Sequence, residues 1–336
     1  MWFVEYGQEG GRRQPMKFLA ACVAVMAVML CSCGDGHGSM LPKSGGRPYE
    51  VLVLSTGDGN ASGMINSILS RDVDGLPQPE PLFDVSLTDS IHFNQVAKLA
   101  RSIIIVNVDS GLFTMTGIRY EKNVWARPQV VVYINTPSCN ELQTVLPDMA
   151  NGLVNLLGRF ELNASMSLLT AGSNANAGAM VDSMFGCALK VPADMKAFKR
   201  GNSFIWVSDN APGGMQNICV YSYPGVELSA QRALYVRDSV MKENIQGERP
   251  GSYMRTSALT VKSGTAVEHG RTVMITRGLW EMEGDAMGGP FVSHSIVDSS
   301  RRRIIVAEGF VYAPGMKKRN LLRQLEASLY TLKLSK

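Results

Sequence analysis

The sequence predicts an α+β protein of two lobes, with mixed or antiparallel sheets and helices packed on them. Three observations carry this. Hydrophobic residues make up 45% of the 336 and charged residues 18%, enough to bury a core in one large domain or two ordinary ones. Aliphatic runs of strand length, such as those within Tyr49–Thr56 and Ile103–Val108, sit among segments with helical spacing. The two kinds of segment do not alternate strictly: helical patterns dominate 138–185, and strand patterns dominate 253–312.

The elements follow in chain order. Tyr49–Thr56 reads as a buried strand, followed by a glycine-rich loop and a short helix around Met64–Leu69. Pro77, Pro79 and Pro81 then stand at alternate positions, so this stretch is extended and cannot be helical. Phe93, Val96, Ala97 and Ala100 have helical spacing, and strands fit Ile103–Val108, Gly117–Ala126 and Gln129–Asn135. Ser138 and Glu141 make a capping box ahead of a helix whose apolar face carries Leu142, Val145, Leu146 and Met149, with Pro147 inside it. Helical pattern runs to about Phe185, broken by a loop at Ala171–Gly178. Strands return at Ala188–Val191, Ser203–Ser208 and Ile218–Tyr223, and a helix fits Ser229–Ile245. Four strands follow, near Tyr253–Lys262, Arg271–Met282, Pro290–Val297 and Arg303–Tyr312. The last helix, Met316–Leu334, has Leu321, Leu322, Leu325 and Leu329 at helical spacing, with Lys317, Lys318, Arg319 and Arg323 around it. Both halves contain a junction of strand, proline and helix start, which leaves an internal duplication open. The lobes are expected at 49–186 and 187–336.

The amino terminus speaks to location. Arg12, Arg13 and Lys17 precede an uncharged apolar run, Phe18–Cys31. As a helix it would be about 21 Å long, short for a bilayer core of about 30 Å. A positive segment, a short apolar stretch and small residues at its end read as a secretory signal over residues 1–32. Residues 1–15 read as a start-site extension, because Met16 begins a signal of ordinary length. Leu30-Cys31-Ser32-Cys33 resembles the lipobox of bacterial lipoproteins. The resemblance implies that Cys33 carries the lipid and becomes the first mature residue, while Cys31 leaves with the signal. The competing view of Cys31 and Cys33 as a metal or redox pair lacks further nearby ligands. Residues 33–48, rich in Gly and Ser, read as a flexible tether spanning roughly 20 Å root-mean-square. Of the remaining cysteines, Cys187 and Cys219 form one possible disulfide; three buried free thiols, with Cys139, are the alternative.

Charge excludes little but weighs against nucleic acid: 33 basic and 29 acidic residues give only +4, with no dense basic stripe. No cofactor and no metal site are expected. His37, His92, His269 and His294 form no short-range metal motif. The nineteen methionines are scattered, as core fillers are. Gly57, Gly59 and Gly63 are spaced somewhat like a phosphate-binding loop, but no Gly-Lys-Ser/Thr follows and the proline stretch breaks the required unit, so a plain turn is preferred. Ser293, His294, Ser295 and Asp298 are the residue types of a hydrolase triad, yet Ser293 and His294 point to opposite faces of a strand. In Arg277–Phe291, Glu281 and Glu283 share a strand face beside Trp280, with Asp285 close by. Paired carboxylates of this kind could serve glycan hydrolysis. Strand, glycine turn and strand is the preferred account, with Trp280, Asp285, Gly288 and Gly289 offered as a binding surface.

The stretches GRPYEVLVLS, GLPQPEPLFDVS, HFNQVAKLARSIIIVNV, RDSVMKENIQG, GLWEMEGDAMGGPFVSH and KKRNLLRQLEASLYTLKL resemble a lipoprotein family known as domain of unknown function family 4837, from about Gly34 to the carboxyl terminus. The resemblance implies an envelope lipoprotein of Bacteroidota-type Gram-negative bacteria and supplies no catalytic residues. The expectation is therefore an outer-membrane-anchored lipoprotein, most simply a non-enzymatic binding or assembly protein. An envelope hydrolase acting on glycan or peptide through Glu281, Glu283 or Asp285 is the alternative. Gly34 after the cysteine argues for the outer membrane by the sorting rule of similar lipoproteins. A single nearby acid, Asp35, favours a periplasm-facing body over a surface-exposed one. The partners expected are the membrane, through the lipid, and an envelope protein or glycan.

Overall fold

The structure, a computed structural model, describes residues 41–57 and 60–335. The signal sequence, Cys33 and most of the tether lie outside the described residues. From Pro42 onward the described chain is one compact unit containing two large sheets and a small two-stranded one. The fold is mixed α+β in two lobes, as the sequence predicts.

The first sheet takes its strands from β1 (Glu50–Thr56), β2 (Asp84–Thr88), β3 (Ser102–Val108), β4 (Gly117–Lys122) and β5 (Val130–Thr136), in the order β2-β1-β3-β5-β4. All pairings are parallel except that of the edge strand β4. Parallel strands are covered on both faces, which is why β3 and β5 read as apolar runs rather than alternating patterns. One face carries α1 (Asn60–Leu69) and α2 (Cys139–Ala171). Ile65 and Leu69 of α1, and Leu142, Leu146, Leu153 and Leu157 of α2, pack with Val53, Ile104, Val132 and Ile134. The spacing in α2 forms one apolar stripe, and each fully buried aliphatic contributes about 1.5–3 kcal/mol.

Two local expectations change here. Ser138 caps α2 by accepting the Glu141 amide at 3.2 Å, but the Glu141 carboxylate does not reach back to close the box. It accepts the amide and hydroxyl of Thr116 instead, at 2.6 and 3.0 Å, and so ties the loop before β4 to the helix start. The helix expected over Phe93–Ala100 shrinks to a 3₁₀ turn at Ala97–Leu99. Asn94 takes the amides of Val96 and Ala97 into a local turn. The buried Gln129 side chain then draws the carbonyls of Lys98 and Ala100 onto the sheet, at 2.6 and 2.7 Å. This segment covers the second face, where Phe93 meets Trp125 edge-on above Ile103, Ile105 and Val131.

α3 (Ala175–Phe185) follows α2, and then the second sheet, fully antiparallel. Its strands are β7 (Ala197–Arg200), β8 (Phe204–Ser208), β9 (Met215–Pro224), β10 (Tyr253–Glu268), β11 (Arg271–Glu283), β12 (Gly288–Asp298) and β13 (Arg303–Tyr312). Their order is β10-β11-β12-β13-β9-β8-β7. α3 and the last helix, α5 (Arg319–Leu329), pack through Val181, Phe185, Leu325 and Leu329 on the face bearing Ile218, Val220, Ile305 and Ala307. The remaining helix, α4 (Ala230–Asn244), packs on the other face with Tyr221, Trp280, Phe291 and Phe310. There Arg237 of α4, sandwiched on Phe291, forks onto the fully buried Glu308 of β13 at 2.8–3.1 Å.

The strand predicted at Ala188–Val191 is only β6 (Cys187–Ala188), and the helix predicted to Leu334 stops at Leu329 so that β14 (Lys333–Leu334) can pair with β6. The strand–proline–helix junction occurs in both lobes, at β5 to α2 and β13 to α5, although the two sheets have different strand orders. Cys139, Cys187 and Cys219 are buried, and none is in a disulfide. The disulfide considered between Cys187 and Cys219 is not made, because the two lie in cores on opposite faces of the large sheet. Among the described residues no helix is long and apolar enough to cross a membrane.

Candidate functional site

The structure places the predicted acids on β11 and its turn. Glu281 and Glu283 do share a face, and both hold Arg255 of β10, at 2.7 and 3.0 Å. Asp285 accepts the amide of Ala286 in the turn. Trp280, expected on a binding surface, is 2% exposed; its Nε1 donates to the Val311 carbonyl and its ring meets Phe310 edge-on. Gly288 and Gly289 serve close packing: a Cβ on Gly289 would stand 2.0 Å from the Val311 carbonyl oxygen. These residues hold strands together rather than converge on open space.

The triad-like residues also separate. His294 is fully buried toward α5, with its ring edge against Tyr330 and Nδ1 3.4 Å from Glu268. Asp298 lies farther along β12, bound to Ser300, Arg301 and Arg303. The glycine loop begins at the carboxyl end of β1, beside β3, with Asp58 and Gly59 outside the described residues. Among the described residues, no group of three or more His, Cys, Asp or Glu stands together as metal ligands would.

The structure instead builds a cleft that the sequence reading missed. Its volume is about 750 Å³, and its walls come from Tyr49, the segment 71–83, α2, α5 and the side chains of Lys262 and Arg277. The proline-rich segment shapes it. Three prolines remove backbone donors and keep the segment extended. Glu80, 3% exposed, crosses to the start of α5 and accepts the amides of Lys318 and Arg319 at 2.6 and 3.0 Å. Those are amides that a helix start leaves without partners, and the carboxylate also complements the positive end of the helix dipole. Arg319 returns to the segment, donating to the Pro81 carbonyl and to Asp84. Arg323, one turn on, donates to the Leu82 carbonyl at 3.1 Å and stacks 4.2 Å from the Tyr49 ring centre.

The electrostatics of the cleft are one-sided. Arg71, Arg159, Lys262, Arg277, Arg319 and Arg323 line it against Asp72, Asp74 and Glu326. Three cations are paired: Lys262 with Asp74, Arg277 with Glu326, and Arg319 with Asp84. Among the described residues, no carboxylate pairs with Arg71, Arg159 or Arg323. Burial, assisted by the like charges of Arg319 and Arg277, pulls the Arg323 guanidinium below its ordinary range. Burial pushes the Tyr49 phenol up to about 12, so it stays neutral beside Arg323. Two of these arginines, Arg319 and Arg323, stand at i and i+4 on the last helix, which was the one local signal; the others come from distant parts of the chain.

Fold and cleft together define a two-lobed α+β protein with a basic cleft between its sheets. Residues 174–331 carry the domain of unknown function DUF4837, and residues 44–169 carry a second one, DUF8532. The first confirms the resemblance but narrows it: the stretches before residue 170 belong to the DUF8532 match, and the changeover falls between α2 and α3. No curated protein matches the chain. Among solved structures, the Ran-binding protein Mog1p of Saccharomyces cerevisiae is 10% identical over 44% of this chain and 90% of that one, with a TM-score of 0.29. A protein of Bacteroides thetaiotaomicron is 12% identical over 45% of this chain and 46% of that one, with a TM-score of 0.21. At such TM-scores neither likeness bears on the fold or the activity of this chain.

Proposed function

We propose that the protein is a lipoprotein of the Gram-negative envelope, anchored at the outer membrane through Cys33 and facing the periplasm, whose body binds an envelope component without chemical turnover. The observation that supports binding is the cleft. Its volume, about 750 Å³, falls in the range of about 300–1,000 Å³ usual for ligand sites, and the Glu80 contacts hold both of its sides in place. The hydrolase reading is weaker, because Glu281 and Glu283 are both engaged by Arg255 and Trp280 is buried. The lipobox-like Leu30–Cys33 stretch and the short apolar run before it support the anchor.

The test is made in cells. A photo-crosslinking residue at Asn155, on the cleft wall, captures an envelope molecule, whereas the same residue at Ser167, farther along α2, does not. Equal capture at both positions overturns the binding reading. Palmitate labelling that persists in a Cys33→Ser variant overturns the anchor.

A further inference from the structure

Resting on the cleft as the binding face, we infer that its ligand presents a phosphate monoester, gripped by Arg323, Arg159 and Arg71. The argument is a charge count. Once the three ion pairs of the cleft are set aside, three guanidinium groups remain without a carboxylate among the described residues, and one lining acid, Asp72, remains without a cation among them. The residue is +2. A carboxylate offers one negative charge; a phosphate monoester offers about −1.5 to −2 with three acceptor oxygens, which matches both the charge and the number of forks.

The geometry agrees. Arg323 spends one N–H on the Leu82 carbonyl, and Arg71 spends its Nε on the Ile68 carbonyl at 3.2 Å, so each keeps further donors. Arg159 donates to no group among the described residues and is exposed on α2, across from α5. The Tyr49 ring under Arg323 fixes the plane of that fork. Leu76, Leu82, Val154 and Leu162 line the same cleft and would meet the uncharged remainder of the ligand. The phosphate could belong to a soluble ester or to a lipid headgroup, and the chemistry at the arginines is the same.

The experiment uses the purified lipidated protein in detergent micelles. Calorimetric titration is run with glycerol 3-phosphate in one arm and with phosphatidic acid in mixed micelles in the other, with acetate as control. Saturable binding in either arm, weakened tenfold or more by Arg323→Gln and by Arg159→Gln but unchanged by Lys122→Gln on the distant strand β4, supports the inference. Binding in the first arm alone assigns a soluble ester; binding in the second alone assigns a headgroup. No binding in either arm, or binding untouched by both arginine variants, overturns it. Gly158 separates this from failure of the cleft itself: a Cβ there meets nothing within 4 Å, so Gly158→Trp obstructs the cleft without changing its charge. If Gly158→Trp stops capture at Asn155 while no phosphate binds, the cleft stands and the phosphate falls. If Asn155 captures nothing, both fall.

Discussion

The Glu80 carboxylate accepts the backbone amide of Arg319 at 3.0 Å while the Arg319 guanidinium donates to the carbonyl of Pro81, so each residue holds the other's segment. Replacing Glu80 by Ala leaves two buried helix amides without partners and removes a charge from the dipole's positive end. A loss of about 2–4 kcal/mol is expected, with Glu80→Gln costing less because one acceptor oxygen remains. Urea unfolding followed by circular dichroism measures both, and equal stability of Glu80→Ala and the parent would remove Glu80 as a clasp.

Acid stability depends on Asp298. Burial raises its pKa, but hydrogen bonds from Ser300, Arg303 and Arg301 together outweigh that and hold it at about 2. A carboxyl with a lowered folded pKa stabilises the fold above its unfolded pKa, here 3.8, and loses that contribution as pH falls toward about 2. Stability of the parent should therefore decline between about pH 4 and pH 2 more steeply than that of Asp298→Asn. Parallel slopes for the two proteins in thermal melts across that window would contradict this.

The thiols give a direct chemical test. Burial pushes the Cys187 thiol up to about 12 and raises Cys219 well above its ordinary value, so neither is a thiolate near neutrality. Iodoacetamide at pH 8 should leave Cys139, Cys187 and Cys219 unmodified in the native protein and alkylate all three after denaturation without reductant. A pair of cysteines that stays unalkylated in the denatured sample until a reductant is added, detected by mass spectrometry, would show that a bridge forms after all.

Two glycines should respond in opposite directions. Gly289→Ala drives a Cβ into the Val311 carbonyl and should cost about 3 kcal/mol or more, or prevent folding. Gly158→Ala, inside α2 with open space around it, should stabilise by up to about 1 kcal/mol through helix propensity. Denaturant midpoints decide this, and a Gly289→Ala protein as stable as the parent would refute the packing role.

Glu281→Gln and Glu283→Gln remove single partners from a half-exposed Arg255, so each should change stability by about 1 kcal/mol or less. Neither should reduce capture by the Asn155 crosslinker. Loss of capture in either variant would return the binding surface to β11.

The sequence made the long elements legible because their signals are local. The apolar stripe of α2, the cap at Ser138 and the aliphatic runs of β3 and β5 each lie within a few residues. The short strand β2 was not legible: Asp84–Thr88 carries little apolar pattern, and its identity comes from pairing with β1. The Phe93–Ala100 spacing misled because Gln129, a residue far along the chain, competes for its carbonyls. The cleft was least legible. Arg71, Arg159, Arg277 and Arg323 have no common spacing, and the extended prolines show their purpose only beside α5. Trp280, conspicuous in sequence, is buried in strand packing, while Glu281 and Glu283 beside it pair with Arg255.

The clasp between Glu80 and the start of α5 joins positions 238 residues apart. A chain emerging in order from its amino terminus holds the acidic half of this joint long before the other half exists. The proline-rich arm must therefore wait, extended and short of donors, until Lys318 and Arg319 have been delivered. Assembly of the cleft is thus timed by α5, because its two sides are joined only once the start of that helix has docked on Glu80.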